Sequence, residues 1–215
     1  MERHGFALKV KDGKKAAFRS GLGKVWGELT PFLDEKKMVN FSMWNAENLV
    51  FGYYETEDGF AFTEADREKV AAWEAVYGDA YEWVSTPFEE MRLMYHDFGY
   101  VRQSKELIRH RVFMTKLVPG SEEEYKARHD VLVEARNGKL TEGPDSNFSI
   151  WNAGGYIFGY DEIDVTMEAD RTQADDDADI AWETRMFEIM SWITNDVDWI
   201  SKEHHDTVKR IAHHN

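Results

Sequence analysis

The sequence contains no cysteine, which excludes disulfides and thiolate chemistry and gives no reason to expect an oxidising compartment. It also lacks any apolar stretch of bilayer length, and its opening residues, MERHGFALKV, lack the apolar run of a secretory signal. A soluble, cytoplasmic protein is therefore expected. Positive charge is scarce: 26 Lys and Arg stand against 41 Asp and Glu, a net charge of −15. Such a surface repels phosphate backbones and anionic lipid, so neither nucleic acid nor a membrane is an expected partner. There is no glycine-rich phosphate loop, no nucleophile elbow and no basic aromatic stripe. The pairs His204-His205 and His213-His214 have no acidic or Cys companions at ligand spacing, so no metal site is expected.

What the chain does have is aromatic surface and a repeat. Apolar residues make up 42% of its 215 positions and aromatic residues 14%, with eight Trp, enough for one large or two small domains with real cores. The heptad NFSMWNA at 40–46 returns as NFSIWNA at 147–153, six letters of seven unchanged. At the same offset of 107, Phe6 aligns with Phe113, Lys9 with Lys116, Gly13 with Gly120, and Phe18 with Tyr125. FGYYE (51–55) aligns with FGYDE (158–162). The offset then slips to 109, where AWEAVYGDAYEWV (72–84) matches AWETRMFEIMSWI (181–193) at Ala, Trp, Glu and Trp. A match of this extent predicts two homologous domains, 1–105 and 108–215, joined around RQSKELIRHR.

Each half reads alike. RHGFALKV alternates as a half-buried strand. The stretch around Phe18, Leu22, Val25, Trp26, Leu29 and Phe32 has helical spacing. VNFSMWN and LVFGYYE flank a short AEN and predict a hairpin, whose second-half tip supplies glycines for positive φ. A second helix is expected over about 64–84, and EMRLMYHDF is expected to close the first unit as a strand. DTVKRIAHH (206–214) is the matching candidate in the second. The expected class is α+β: two tandem ferredoxin-like βαββαβ units whose bare sheet faces meet as an intrachain pseudo-dimeric α+β barrel. The acidic run DDDADI (175–180) reads as a solvated coat, in a loop or the first turn of a helix.

The repeated hairpin, the segment EEYKARHD at 123–130 and the strand LMYHD at 93–97 together resemble the L-rhamnose mutarotase family. Members are small dimeric α+β barrel proteins that interconvert sugar anomers without a cofactor. Opening a pyranose moves one proton off the anomeric hydroxyl and one onto the ring oxygen, work suited to a histidine. Tyr125 and His129 lie four apart and share a helix face. The resemblance implies His129 as the acid/base and Tyr125 as a hydroxyl partner to the sugar. It also implies that the Phe148 position faces the sugar, with Trp151 packed under the helices. Phe148 stands where many relatives have Tyr and lacks that hydroxyl, which counts against rhamnose itself, so a 6-deoxy or related sugar is the expected substrate.

Trp192, like its counterpart Trp83, offers a ring face for stacking on a sugar, or simply fills a core. Tyr160, with Glu162, recurs from Tyr53 and Glu55 on the third strand and is a candidate sugar contact. His213 and His96 end the proposed last strands as candidate second acid/base groups. In the first half Phe18 and Leu22 replace Tyr125 and His129, so that half is expected to be catalytically silent. The leading expectation is an isomerase, an aldose mutarotase taking a small-molecule sugar, in a chain that completes its own pseudo-dimer and can stand as a monomer. Two other readings stay open: a non-catalytic sugar-binding protein, and a cofactor-independent enzyme of the same fold acting on another small molecule.

Overall fold

The computed structural model describes residues 1–102, 105–140, 142–194, 200 and 208–215. The first repeat runs β1 (Glu2–Val10), α1 (Lys15–Glu35), β2 (Val39–Ala46), β3 (Leu49–Thr56), α2 (Glu64–Tyr77), β4 (Tyr81–Trp83) and β5 (Arg92–Asp97). The second runs β6 (Ile108–Leu117), α3 (Glu122–Arg136), β7 (Asp145–Ala153), β8 (Tyr156–Asp164), α4 (Gln173–Met186), β9 (Met190–Thr194) and β10 (Lys209–His214). Two compact units result, Met1–Met91 with Lys209–Asn215, and Arg92–Val208. Each holds one five-stranded sheet, ordered β10-β2-β3-β1-β4 in the first and β5-β7-β8-β6-β9 in the second. Every pairing is antiparallel. The inner order β2-β3-β1-β4 and its counterpart are those of a ferredoxin-like split, so the α+β class and the tandem repeat hold.

Two expectations about the closing strands are corrected. The helix expected over about 64–84 stops at Tyr77, because Gly78 takes a φ of 60° and turns the chain out of the helix. The residues after it form β4, which pairs Trp83 with Leu8 and is the true fourth strand of the split. EMRLMYHDF does not close the first unit: Arg92–Asp97 pairs with β7 of the second unit, and Lys209–His214 pairs with β2 of the first. The near-identical heptads explain why this was illegible. β2 and β7 present the same edge of N–H and C=O groups, so local sequence does not choose which partner each receives. His204 and His205, and positions 206 and 207 of the expected last strand, lie outside the described residues.

The repeated letters have a structural cause. Asn40 and Asn147 adopt φ of 53° and 55°, at irregularities where β2 and β7 each slip against the next strand. Asn tolerates this left-handed conformation better than most residues. Its side chain then donates to a buried carboxylate: Asn40 Nδ2 to Glu55 Oε1 at 3.0 Å, and Asn147 Nδ2 to Glu162 Oε1 at 3.2 Å. The hydroxyls of Tyr53 and Tyr160 donate to the same oxygens at 2.7 and 2.8 Å. Asn, Tyr and Glu thus recur as one buried triad.

The shared FG pair has its own reason. A Cβ on Gly52 would lie 2.0 Å from the Phe6 ring, and one on Gly159 would lie 2.1 Å from the Phe113 ring. In each unit the neighbouring strand's Phe lies across the glycine, on the face that the helices cover. The amphipathic helices supply the other wall. α1 buries Phe18, Leu22, Val25, Phe32 and Leu33, whereas α3 buries only Tyr125 and His129. Thr63 and Thr172 cap α2 and α4 in reciprocal boxes with Asp66 and Asp175. The run at 175–180 therefore opens a helix, with Asp175 and Asp176 in its first turn.

Candidate active site

In the second unit a cavity of about 200 Å³ lies between the sheet and helices α3 and α4. α3 contributes Tyr125 and His129, one helical turn apart, and α4 contributes Trp182 and Glu183. The strands contribute Tyr95, Arg111, Phe113, Phe148 and Trp192. His129 is only 4% exposed. Its ring stacks on Tyr125 with centroids 4.4 Å apart and meets the edge of Trp182 at 5.0 Å. Tyr95 bridges His129 and Phe148, at 5.3 Å from each.

The protonation of His129 follows from one contact. Its Nδ1 lies 2.9 Å from the Tyr125 carbonyl oxygen. A carbonyl only accepts, so Nδ1 carries the proton and Nε2 presents a lone pair. Burial disfavours the imidazolium and pushes the pKa down to about 4, against a smaller opposing effect of that carbonyl. At neutral pH the group is a base.

Among the residues that line this cavity, His129 Nε2 and the Tyr125 hydroxyl have no hydrogen-bond partner among the described residues, and neither has Trp192 Nε1, which is fully buried. Burial holds the Tyr125 hydroxyl protonated well above its usual range, so it is available as a donor. A buried N–H with no acceptor costs free energy. The cavity thus offers hydrogen-bond donors and an acceptor among aromatic walls.

The sequence-predicted residues divide between places. His129, Tyr125, Phe148 and Trp192 come together here. Tyr160 does not line the cavity; its side chain is on the opposite face of β8, fully buried and bonded to Glu162. His213 belongs to the first unit, on β10, with Nδ1 2.8 Å from Ser42 Oγ. Its counterpart His96 pairs across from Ser149 and stacks on Phe98 at 4.7 Å. Trp151, expected beneath the helices, is instead on the face turned away from them, while Phe148 and Ile150 pack toward α3 and α4. Strand alternation separates these two sets of side chains. Which set the helices cover is a matter of packing.

Sequence reasoning missed the cavity residues Tyr95, Arg111, Trp182 and Glu183, and the buried Asp161 that pairs in register with Arg111. Trp182 and Glu183 stand in the repeated AWE, a signal that was available. Tyr95 was not legible as a site residue, since it arrives on the exchanged strand β5. Arg111 and Asp161 face each other across β6 and β8. Asp161 is 1% exposed, and its Oδ1 has no hydrogen bond among the described residues. Burial first, and then the neighbouring Asp145, raise its pKa well above the usual carboxylate range. Among the described residues no group of three or more His, Cys, Asp or Glu is placed to hold a metal ion. None of the described helices is long and apolar enough to cross a membrane.

Fold and cavity together define a tandem ferredoxin-like α+β protein with a buried, neutral histidine in one of its two units. The L-rhamnose mutarotase family model matches the chain twice, over residues 3–96 and 110–212, and the chain belongs to that family. No curated protein matches it. Two solved structures are similar in fold. One is a candidate monooxygenase from Fusobacterium nucleatum, 11% identical over 88% of this chain and 87% of that one, with a TM-score of 0.41. The other is an anthrone oxidase-like protein, 13% identical over 88% and 86%, with a TM-score of 0.45.

Proposed function

We propose that the second unit is an aldose mutarotase acting on a 6-deoxy or related pyranose. The reading rests on family membership and on one observation, the buried His129 with its Nδ1 proton spent on a backbone carbonyl. In this scheme Nε2 takes the proton from the anomeric hydroxyl as the carbonyl forms at C1 and the C1–O5 bond breaks. The imidazolium returns that proton to O5, which lies on the same carbon as the hydroxyl that lost it. Rotation about C1–C2 and the reverse sequence close the ring as the other anomer. One imidazole serves both steps, and no cofactor is needed.

Tyr125 donates to a sugar oxygen, the developing ring alkoxide included. Phe113, Phe148 and Ile150 face the C–H side of the ring and its methyl group. Magnetisation-transfer NMR over a panel of aldoses tests the proposal. Wild type should speed anomer exchange for at least one 6-deoxy sugar, and His129→Leu should abolish it. No acceleration with any sugar would overturn the assignment. An unchanged rate in His129→Leu would remove His129 from the mechanism.

A further inference from the structure

The first unit holds a larger cavity, about 290 Å³, at the corresponding place between its sheet and its helices α1 and α2. Its chemistry differs from that of the second. Phe18 and Leu22 stand where Tyr125 and His129 do, and His4 and Tyr54 occupy the register positions of Arg111 and Asp161. The walls are mostly apolar, aromatic at Phe6, Phe32, Phe41, Trp73, Tyr77 and Trp83 and aliphatic between them.

Several polar groups of this wall are satisfied internally. Trp83 Nε1 donates to Glu74 Oε1 at 2.6 Å, and the Tyr81 hydroxyl donates to the same atom at 3.2 Å. Trp73 Nε1 donates to Glu28 Oε2 at 3.0 Å. Both nitrogens of His4 are engaged, Nδ1 with Glu90 Oε1 and Nε2 with Thr56 Oγ1, each at 2.7 Å. The hydroxyl of Tyr54, whose ring stacks on His4 at 4.7 Å, has no partner among the described residues. Burial and the nearby Glu90 keep its proton on, so it is a donor.

A sugar does not suit such a chamber. Most of its wall is hydrocarbon, and the sugar hydroxyls turned toward that wall would be stripped of water, each group left unpaired costing about 1–3 kcal/mol. An apolar ring system with one oxygen suits it well. An apolar protein cavity of about 150 Å³ accepts benzene; one of about 290 Å³ has room for roughly two fused rings. Glu74, Glu89 and Glu90 line the cavity, while Arg67 lies over the Phe88 ring at 4.7 Å, which favours a neutral ligand over an anion.

We infer that the first unit is a second ligand site, independent of the sugar cavity, for a neutral, largely apolar compound of about two fused rings whose single hydroxyl or carbonyl oxygen accepts from Tyr54. The catalytically bare repeat is in this reading a binding module of different specificity.

2-Naphthol serves as the probe, followed by tryptophan fluorescence and calorimetry on the full chain. Saturable binding at one site is expected. Tyr54→Phe, which keeps the ring and removes the hydroxyl, should weaken it about tenfold, the value of one hydrogen bond. Leu29→Trp, which fills the cavity from α1, should abolish it. L-Rhamnose should not compete, and His129→Leu should leave the affinity unchanged. Absence of saturable binding, or equal affinity in wild type, Tyr54→Phe and Leu29→Trp, would overturn the inference. Loss of binding in His129→Leu would move the ligand to the second unit and equally overturn it. 2-Naphthalenesulfonate binding as tightly as 2-naphthol would refute the preference for a neutral ligand.

Discussion

Replacing His129 with leucine, the residue that the first repeat carries at this place, should flatten the acid side of the stability curve. In the folded protein the imidazole titrates near 4, against 6.5 when exposed, because burial disfavours its charged form. Above the unfolded value both states are neutral and stability is full. As the pH falls below it, the unfolded chain takes up a proton that the folded protein refuses, and stability is lost until the folded value is passed. Each unit of difference corresponds to about 1.4 kcal/mol, so the full loss is about 3 kcal/mol, most of it reached by pH 4.5. Other titrating groups are common to both proteins and cancel in the difference. Urea denaturation at several pH values between 8 and 4.5 reads it directly. Wild type should lose about 2.5 kcal/mol more than His129→Leu over that range. At pH 8 the variant should be no less stable, since a buried imidazole gives way to an apolar group that packs as Leu22 does. Parallel curves would refute the account of a desolvated imidazole, and with it the claim that His129 is a ready base at neutral pH.

Other perturbations test the frame and the site. Gly159→Ala drives a methyl to 2.1 Å from the Phe113 ring and should cost about 1–3 kcal/mol in urea denaturation. Gly52→Ala should do the same to the first unit through Phe6. Asn147→Ala loses the hydrogen bond to Glu162 and forces a residue that avoids positive φ to adopt 55°; a loss of about 2 kcal/mol is expected. Asp161→Asn should stabilise the protein at pH 7, because the folded state holds that carboxyl's proton more tightly than the unfolded chain does. Such a group's contribution is lost as pH rises above the unfolded value, so the gain should shrink between pH 7 and 4.5.

The repeated heptad and the matches on either side of it were enough to predict two units, and the Asn, Tyr and Glu within them form triads that close within one hairpin, their partners close in sequence. Tyr125 and His129 were legible as a pair for the same reason: a helical turn brings them together whatever else the chain does. Three things were not local. The strands Arg92–Asp97 and Lys209–His214 choose between two nearly identical edges, and only the folded chain decides that Tyr95 reaches His129 while His213 does not. Alternation divided Phe148 from Trp151 and Tyr160, but burial on both faces of the sheet hides which side the helices cover. The second unit's base was written in its helix; the cavity that empties water from around it, and so holds it neutral, is a product of tertiary packing alone.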